Sequence, residues 1–457
     1  MLRLELPWTE PAELAPRLFG WPGFVWLDSA SSGHGQGRYS YISANPISRF
    51  RWGDGDFAEE FGGAFRAWRN RFRASVIAGG APFQGGAIGY MSYDAAKIWM
   101  RDFRSRHPDS ADDTIEFALY DTVMAFDHFE RRLTIYSAGL PGPDKAPDKA
   151  LAQQRIRAFA EVVEHQDDQS KEIIESSTDW SLSSDQAKYV DHVAAVREAI
   201  LDGEIYQANI ASLWVRKAPS QTSAFHDYLE LRKQTQAPFS AFGTFAGRTL
   251  SSLSPERLVS MTSEGNVRAE PIKGTARRST DPERDRDIAR ALARSEKDRA
   301  ENIMIVDLLR NDLSRVCQPE SVIVSRLCDL EKLPNLHHLV STIEGQLAPA
   351  CDVLDLLGAV FPGGSVTGAP KLRAMEIIDA LEPAARGAFC GSFGYLGFDD
   401  ACDFNIMIRT IDHLPDGDRY WSGAGLTLLS DAEAEWAEVQ LKAERILSLQ
   451  SPVAAIQ

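Results

Sequence analysis

The sequence predicts an α+β fold (mixed α/β), and two patterns support this prediction. Apolar and aromatic residues alternate with polar ones around residues 38–42 and 122–126, which is typical of strands in the first 140 residues. Later in the chain, helical periodicity appears over 186–202 and, with a break, over 284–315. Strand-rich sequence followed by interposed helices and strands favours this fold class over an all-helical or a repeat protein.

The first 185 residues divide into a strand-rich part and a connecting part. Residues 1–140 are predicted to form the first domain, in which 85–91 reads as a strand whose glycines permit close backbone approach. A helix is predicted over 150–164, and the polar residues 165–185 are the best candidate for a linker. Residues 141–185 are therefore interpreted as a helix followed by a linker.

The second domain is predicted to span residues 186–450. Short apolar runs at 210–215 and 258–262 predict strands there. Two glycine-containing segments flank a predicted helix at 370–381, and a last helix carries Glu435 and Glu438.

Composition excludes several functional classes. The chain has 457 residues, 44% hydrophobic and 25% charged, with a net charge of −16. A strongly acidic chain has no general basic surface for phosphates, which argues against nucleic acid as a partner. No apolar run reaches the roughly 18 residues of a membrane span, and no signal peptide is apparent at the N-terminus. We therefore predict a cytoplasmic protein with no membrane partner.

The five cysteines argue against a structural zinc site or a disulfide framework. They are scattered, odd in number and contain no C-x-x-C pair. Buried free thiols in a reducing compartment are the simplest interpretation.

Lys273 is the most informative residue of the chain. It precedes Gly274 and Thr275 in a segment that must turn tightly, with Arg277 and Arg278 directly behind it. Nearby cations favour the neutral form of a lysine amine, which is a nucleophile. An ordinary surface loop is the alternative that these residues alone leave open.

The last predicted helix could supply carboxylates to a metal ion. Glu435, Glu438, Lys442 and Arg445 share one helical face beside an apolar stripe. Two glutamates on this face could hold Mg²⁺, which prefers oxygen ligands. A solvated row of glutamate–lysine pairs is the alternative.

Glu301 is a candidate for a second carboxylate arm. It recurs with Ile305, Leu308 and Asp312 at helical spacing, so the carboxylate lies on a partly apolar face and needs a partner or a metal. An ion pair with Arg299 or Arg310 is the equally weighted alternative.

Two glycine-flanked segments, 364–371 and 422–425, could bring backbone N–H groups close to an anion. Arg409 ends a strand-like run and could bind a carboxylate with both guanidinium arms. His338 lies among apolar residues, where a core histidine is the default interpretation.

Together these blocks resemble the chorismate-utilising enzymes. The resemblance runs from about residue 186 to 445 and includes, in order, the segments 254–257, 271–275, 297–301, 307–313, 338–341, 367–371, 408–410 and 423–425. It implies a large interlocked β-sandwich with helices packed outside.

Within this family the position of Lys273 separates the activities. Anthranilate synthase large subunits usually carry alanine there, whereas the branch that aminates chorismate at C4 carries lysine. Isochorismate and salicylate synthases place a lysine base where this chain has Gln207. The resemblance therefore implies amination to 4-amino-4-deoxychorismate, with C2 amination and pyruvate release as the alternative.

The resemblance also implies a role for each site residue. Lys273 would add to C2 of chorismate and Glu256 would protonate the departing hydroxyl. Glu301 and Glu438 would hold Mg²⁺, with Glu435 nearby or bound through water. The residues implied to contact the substrate are Gly274, Thr275, His338, Ser365, Tyr395, Arg409, Gly423, Gly425 and Lys442.

Two partners follow from the same resemblance. Amination requires ammonia. Around Cys390, Ala388 and Ser392 stand where a glutaminase nucleophile elbow would have its two glycines, so a separate glutaminase subunit is expected to supply the ammonia. In the N-terminal part, Asp28, Ser29 and Tyr41 are expected to form a tryptophan pocket, with a plain sandwich core as the alternative. A tryptophan-binding relative without activity is the non-enzymatic hypothesis, disfavoured by the intact set of Glu256, Lys273 and the three metal-binding glutamates.

Overall fold

The computed structural model describes residues 1–29, 37–53, 57–107, 114–164, 179–217, 221–332 and 336–448. Most of the predicted linker (165–178) and the last two residues of the predicted second domain (449–450) lie outside the described residues. In the described part of the chain no helix is long and apolar enough to cross a membrane.

The described residues form ten α-helices. They are α1 (Pro11–Leu18), α2 (Phe61–Asn70), α3 (Lys149–Glu164), α4 (Gln186–Leu201), α5 (Gln221–Thr235), α6 (Pro282–Arg294), α7 (Glu296–Ser314), α8 (Val353–Val360), α9 (Lys371–Leu381) and α10 (Ala432–Leu447). Two short 3₁₀ turns lie at Tyr93–Ile98 and Gly364–Val366.

The strands of the first half are β1 (Leu2–Leu6), β2 (Val25–Asp28), β3 (Tyr39–Ser43), β4 (Ser48–Trp52), β5 (Gly86–Met91), β6 (Ile115–Tyr120), β7 (Thr122–Asp127), β8 (Arg132–Ser137), β9 (Ser181–Leu182), β10 (Gln207–Arg216) and β11 (Phe239–Phe245). Those of the second half are β12 (Arg248–Ser254), β13 (Arg257–Met261), β14 (Asn266–Ala269), β15 (Ile272–Arg277), β16 (Ile323–Lys332), β17 (Leu336–Gln346), β18 (Gly368–Ala369), β19 (Ser392–Gly397), β20 (Cys402–Asn405), β21 (Thr410–Leu414) and β22 (Gly417–Leu426).

Two large sheets share these strands. The 12-stranded sheet has the order β1-β8-β7-β3-β2-β11-β12-β21-β22-β10-β18, with β9 also paired to β10. The 10-stranded sheet has the order β15-β17-β14-β13-β20-β19-β5-β6-β4, with β16 also paired to β17. The antiparallel pairs β2–β11 and β5–β19 join strands of residues 1–140 to strands of the predicted second domain (186–450) in both sheets. The interlocked sandwich is therefore confirmed, whereas the domain boundary near residue 140 stays a prediction.

Three apolar layers hold the sandwich together. Side chains such as Tyr41, Phe245 and Phe393 pack between the sheets. Helices α4, α9 and α10 cover the 12-stranded sheet, and α7 and α8 cover the 10-stranded sheet. This arrangement places α7 and α10, which carry the three predicted metal-binding glutamates, over the two sheets that carry the other candidate residues.

The break in the predicted 284–315 helix occurs at Ser295. This residue has extended backbone angles (φ −62°, ψ 111°) and ends α6, while its hydroxyl accepts a hydrogen bond from the Asp298 N–H and begins α7. The prediction of buried free thiols is confirmed for four of the five cysteines, and Cys351 is half-buried.

Candidate active site

Lys273 lies at a bulge at the start of β15. The pairing register of β15 with β17 shifts between Ile272 and Thr275, and Gly274 inside this bulge has φ +82°. A Cβ at Gly274 would stand 2.9 Å from the Asp298 Cβ of α7. Only glycine therefore allows this strand to pass so close beneath the start of α7.

One serine joins the predicted nucleophile to the predicted acid. The Lys273 Nζ donates to the main-chain oxygen of Ser365 at 2.9 Å, and the Ser365 Oγ donates to the Glu256 Oε1 at 2.8 Å. Ser365 lies on the 3₁₀ turn Gly364–Val366, within the glycine-flanked segment that the sequence singled out. The structure thus brings together Lys273, Ser365 and Glu256.

Of the two arginines behind Lys273, one is held in an ion pair and the other is exposed. Arg278 pairs with Asp285 at 3.1 Å, and the Arg277 side chain is exposed. Lys273 instead acts electrostatically on the carboxyl groups of Glu256 and Glu301. The sequence could not show this, because Glu256 and Glu301 are distant from Lys273 along the chain and act on it only in the folded protein.

Glu256 is fixed and buried between β12 and β13, with 6% of its surface exposed. Its main-chain N–H donates to the Ser254 Oγ at 3.2 Å, and its main-chain oxygen accepts from the Ile406 N–H at 3.0 Å. Burial raises the pKa of the Glu256 carboxyl, although Lys273 and the Ser365 hydroxyl oppose this. A carboxyl group that retains its proton in this way can serve as a general acid.

The three predicted metal-binding glutamates lie on α7 and α10. Lys297 Nζ is 3.4 Å from the Glu435 Oε1, and Lys442 Nζ is 2.7 Å from the Glu438 Oε1. The Glu301 Oε1 is buried without a hydrogen-bond partner, and burial raises the pKa of this carboxyl. Glu301 is not neutralised by Arg310, which pairs with Asp307.

The fit of this carboxylate set to a hard cation can be judged from its contacts. The described residues contain no group of three histidine, cysteine or acidic side chains gathered closely enough to hold a metal ion. The orphaned Glu301 oxygen nevertheless needs a cationic partner, and Glu435 adds to its negative surroundings. Oxygen donors of this kind suit Mg²⁺ in charge and in chemistry.

Gly423 and Gly425 leave room beside two buried amides that sequence reasoning did not assign to the site. A Cβ at Gly425 would meet the Gln207 Nε2 at 2.7 Å, and one at Gly423 would meet the Asn209 Oδ1 at 2.8 Å. Both polar atoms of Gln207 and the Asn209 Oδ1 are buried without a hydrogen-bond partner. Two polar side chains at i and i+2 of an otherwise apolar strand are the signal that could have identified them.

Arg409 is a half-buried cation suited to an anionic ligand. Its backbone has φ +51° just before β21, and within the described part of the chain it makes no salt bridge. Burial lowers the pKa of its guanidinium, and the neighbouring Arg445 acts in the same direction. A partly desolvated arginine without a carboxylate partner can bind a ligand that supplies the anion.

His338 lies beside the bulge that holds Lys273. Its Nδ1 is 2.7 Å from the Thr275 Oγ1, and burial lowers its pKa to about 4, with Arg409 as the next contributor. The imidazole is therefore neutral near pH 7. Lys442 also reaches this region, since its Nζ donates to the main-chain oxygen of Gly423 at 2.9 Å.

Tyr395 is the one predicted substrate residue that the structure places elsewhere. Its ring packs against those of Tyr41 and Phe83, with centroids 5.7 and 4.5 Å away. It lies on β19, where neighbouring side chains point to opposite faces, and it shares the inter-sheet face with Phe393. The sequence prediction for Tyr395 is therefore corrected: it lines a second cavity, not the surroundings of Lys273.

That second cavity, of about 730 Å³, contains the residues predicted to form a tryptophan pocket. Asp28, Ser29 and Tyr41 all line it. The Asp28 carboxylate is bound by Arg232 at 3.1 Å and by the Tyr228 hydroxyl at 3.2 Å, and the Ser29 hydroxyl donates to main-chain oxygens. The side chains of Asp28 and Ser29 are thus paired with other groups of the chain.

The chain is similar to known proteins over most of its length. A model of the family described as chorismate binding enzyme matches residues 24–448. Aminodeoxychorismate synthase component 1 of Escherichia coli K12 is 39% identical over 367 residues, which cover 80% of this chain and 77% of the relative. Anthranilate synthase component 1 of Streptomyces coelicolor is 33% identical over 447 residues, 93% of this chain and 83% of the relative.

Solved structures give the same fold. Anthranilate synthase component I from Streptococcus pneumoniae TIGR4 matches with a TM-score of 0.79 and 26% identity, covering 90% of this chain and 92% of that one. The isochorismate synthase MenF from Escherichia coli matches with a TM-score of 0.72 at 18% identity, covering 98% of this chain and 94% of that one, which bears on the fold alone. Relatives that differ in activity are thus similar to this chain, so the choice between activities depends on the site.

Proposed function

Since the chain belongs to the family of chorismate binding enzymes, we propose that it aminates chorismate with ammonia at C4. The product would be 4-amino-4-deoxychorismate, the precursor of 4-aminobenzoate in folate synthesis. The observation that carries the proposal is the position of the Lys273 amine, which is joined through Ser365 to the buried acid Glu256.

The proposed reaction has two halves. The neutral amine of Lys273 forms a bond to C2 of chorismate, the two ring double bonds each shift by one position (C1=C2 to C1=C6 and C5=C6 to C4=C5), and the C4 hydroxyl departs as water with a proton from Glu256. Ammonia then bonds to C4, both double bonds shift back, the C2 bond to Lys273 breaks, and the ammonium group formed at C4 returns a proton to Glu256. A covalent intermediate divides one difficult displacement into two easier ones.

The buried polar groups are proposed to orient the dianionic substrate. Arg409, without a carboxylate partner, would bind the carboxylate of the enolpyruvyl group, next to Gly423 and Gly425. Gly274, Thr275, neutral His338 and Lys442 would line the ring. Closely spaced partners of this kind hold a reactant in an attack geometry and lower the entropic part of the barrier.

Mg²⁺ is proposed as the cofactor, held by Glu301 and Glu438, with Glu435 nearby or bound through water. When bound it would offset the negative charge of the three glutamates and of the substrate's ring carboxylate. The orphaned oxygen of Glu301 supports this assignment. Lys297 and Lys442, which neutralise Glu435 and Glu438 in this structure, would remain as counter-charges.

A separate glutaminase subunit is proposed as the source of ammonia, in keeping with the designation "component 1" of the Escherichia coli relative. Tryptophan is proposed as a ligand of the 730 Å³ cavity. The bound tryptophan would be either a structural component or an inhibitor.

Anthranilate synthesis is the second candidate function, favoured by the 33% identity to an anthranilate synthase over 93% of the chain. The test is a product assay of the purified chain with chorismate, Mg²⁺ and ammonium at mildly alkaline pH. A product that retains its pyruvyl group and that an added lyase converts to 4-aminobenzoate is expected. Fluorescent anthranilate with stoichiometric pyruvate would contradict C4 amination and support the second candidate.

A further inference from the structure

Ser365 sets the distance between the proposed acid and the proposed nucleophile. Its main-chain oxygen holds the Lys273 amine and its hydroxyl holds the Glu256 carboxyl. A displacement of this turn would therefore disturb both groups together. Reacting groups tolerate little misplacement before the rate falls.

The turn that carries Ser365 is tied to the rest of the protein through main-chain groups. The Thr367 hydroxyl donates to the Gly363 oxygen at 2.8 Å, and the Thr367 oxygen accepts from the Asn209 N–H of β10 at 2.8 Å. The main-chain oxygen of Val366, the residue after Ser365, accepts from the Arg386 Nη1 at 3.0 Å. Arg386 thus binds the 3₁₀ turn that carries Ser365, which is called the serine turn below, at the residue directly after Ser365.

Arg386 reaches β10 with the other arm of its guanidinium. Its Nη2 donates to the Asn209 oxygen at 2.6 Å and to the Glu382 Oε1 at 2.7 Å, and its Nε donates to the Glu382 Oε2 at 2.9 Å. The Glu382 Oε1 in turn accepts from the Ala211 N–H of β10 at 2.9 Å. The ion pair therefore joins the serine turn, β10 and the end of α9 at one point.

This ion pair is completely enclosed. Arg386 is 3% exposed and Glu382 is 1% exposed, and the guanidinium carbon lies 4.7 Å from the centre of the Tyr93 ring. Desolvation makes a buried ion pair weak in net stabilisation, and apolar residues of the same volume often serve stability as well. A bidentate arginine that also binds carbonyls on two separate segments instead fixes their relative position.

We propose that Arg386, held by Glu382, is a positioning residue for the reaction. It would act through the carbonyl groups of Val366 and Asn209, and so keep Ser365 in hydrogen-bond contact with both Glu256 and Lys273. The part of this inference that concerns turnover rests on the proposed function, whereas the effect on Glu256 does not.

The state of Glu256 provides a readout that does not depend on activity. Its carboxyl is acted on by Lys273 of β15, Lys442 of α10, Arg409 and the Cys390 thiol, and it accepts hydrogen bonds from Ser365 and from the Ile272 N–H. The Ser365 hydrogen bond lowers the pKa of this carboxyl. Loss of that bond must therefore raise the pH at which Glu256 titrates.

The experiment compares Arg386→Lys with Ser365→Ala and the double variant. The Glu256 titration is followed by infrared difference spectroscopy, with Glu256→Gln to assign the carboxyl band. Arg386→Lys is expected to move the titration midpoint upward in the same direction as Ser365→Ala, with no further shift in the double variant. Turnover with chorismate, Mg²⁺ and ammonium is expected to fall about tenfold or more in each single variant, with chorismate KM changed less than about threefold.

Arg216→Lys is the matched control. Arg216 is also a completely buried arginine on β10, paired with Asp227 at 2.6 Å and Asp418 at 2.7 Å, but it is at the other end of the strand from Asn209. It is expected to lower the thermal midpoint without moving the Glu256 titration. If Arg386→Lys does not fold, Glu382→Gln, which keeps the side-chain shape, takes its place.

Three results would overturn the proposal: an unmoved Glu256 titration in Arg386→Lys, a shift of equal size in Arg216→Lys, or independent effects of Arg386→Lys and Ser365→Ala that add in the double variant. A wild-type chain that does not turn over chorismate would contradict the proposed function only, because the infrared titration still decides the role of Arg386.

Discussion

The surroundings of Lys273 and the 730 Å³ cavity are reached by two neighbouring residues, Glu256 and Arg257, but the two regions differ in whether their charged side chains form salt bridges. Glu256 faces Lys273, whereas the next residue, Arg257, lines the cavity and pairs with Glu270 and Asp403. In the cavity Asp28 is likewise paired with Arg232. Around Lys273, in contrast, Glu301 and Arg409 are half-buried and make no salt bridge among the described residues.

This contrast distinguishes a site that requires a charged ligand from one that does not. Burying unpaired charges costs free energy that a folded protein recovers only if a ligand pairs with them. The surroundings of Lys273 therefore suit a dianionic substrate and a cation. The cavity, in which Asp28 and Arg257 are already paired, suits a ligand held mainly by aromatic contact and by main-chain groups.

The largest expected effect concerns the acid of the reactive site. Glu256→Gln keeps the shape of the side chain but cannot donate a proton, so turnover should fall by about 10²–10⁴-fold. Calorimetric titration should show that chorismate still binds. An unchanged turnover number would exclude Glu256 as the general acid. The proposed chemical difference between this site and the cavity would then lose its main support.

Glu301→Gln should raise the Mg²⁺ concentration required for half-maximal activity by about 10–100-fold or more, because a direct ligand matters at least as much as the groups that orient ligands. Without Mg²⁺ the thermal midpoint at neutral pH should rise, since burial disfavours the ionised carboxylate in the folded protein. Asp307→Asn, on the exposed side of the same helix, should change neither quantity. A lower thermal midpoint together with an unchanged Mg²⁺ requirement would contradict the orphaned-carboxylate interpretation.

The pH dependence should follow the raised pKa of Glu256. The general acid is active when protonated, so turnover measured at a constant concentration of free ammonia should fall about tenfold per pH unit above that pKa. For the same reason the folded protein binds this proton more tightly than the unfolded chain, and the contribution of Glu256 to stability is lost as pH rises through the raised pKa. A turnover profile whose alkaline limb survives in the residual activity of Glu256→Gln would contradict this assignment.

The smallest expected effect comes from the cavity. Tyr395→Phe should change the chorismate KM by less than about twofold, because the ring packs against Tyr41 and Phe83 and not against Lys273. Arg409→Lys should raise the same KM about tenfold or more, since a lysine cannot bind a carboxylate with two parallel hydrogen bonds. Equal effects of the two substitutions would mean that the two regions are not distinct. Tryptophan titration of the Tyr395→Phe variant would test the cavity itself.

The sequence predicts much of the fold and the chemical types of the site, but not the orientation of individual side chains. Helical periodicity located α4, α7 and α10, and the spacing of Glu435 and Glu438 placed them correctly on one helix. The prediction that Tyr395 contacts the substrate was wrong because the sequence of a strand does not show which of its two faces lines which cavity. The contact between Lys273 and Ser365, 92 residues apart in sequence, depends on a bulge and a 3₁₀ turn that only the folded chain brings together.

The Arg386–Glu382 pair was missed for a related reason. An arginine four residues after a glutamate at the end of a helix is typical of an exposed pair, and only the packing of β10 and Tyr93 around it shows that it is buried. The unpaired amides of Gln207 and Asn209 carry a weak signal in sequence, as two polar residues on one face of an apolar strand.

The most direct test of the central claim is mass spectrometry of the chain after rapid mixing with chorismate and Mg²⁺ in the absence of ammonia, followed by acid quenching and proteolysis. We predict that the peptide containing Lys273 gains the mass of chorismate less one water. Added ammonium should remove this adduct and form the C4-aminated product. The Lys273→Ala variant should form neither the adduct nor the product. Full formation of that product by Lys273→Ala, or an adduct on any other residue, would contradict this prediction.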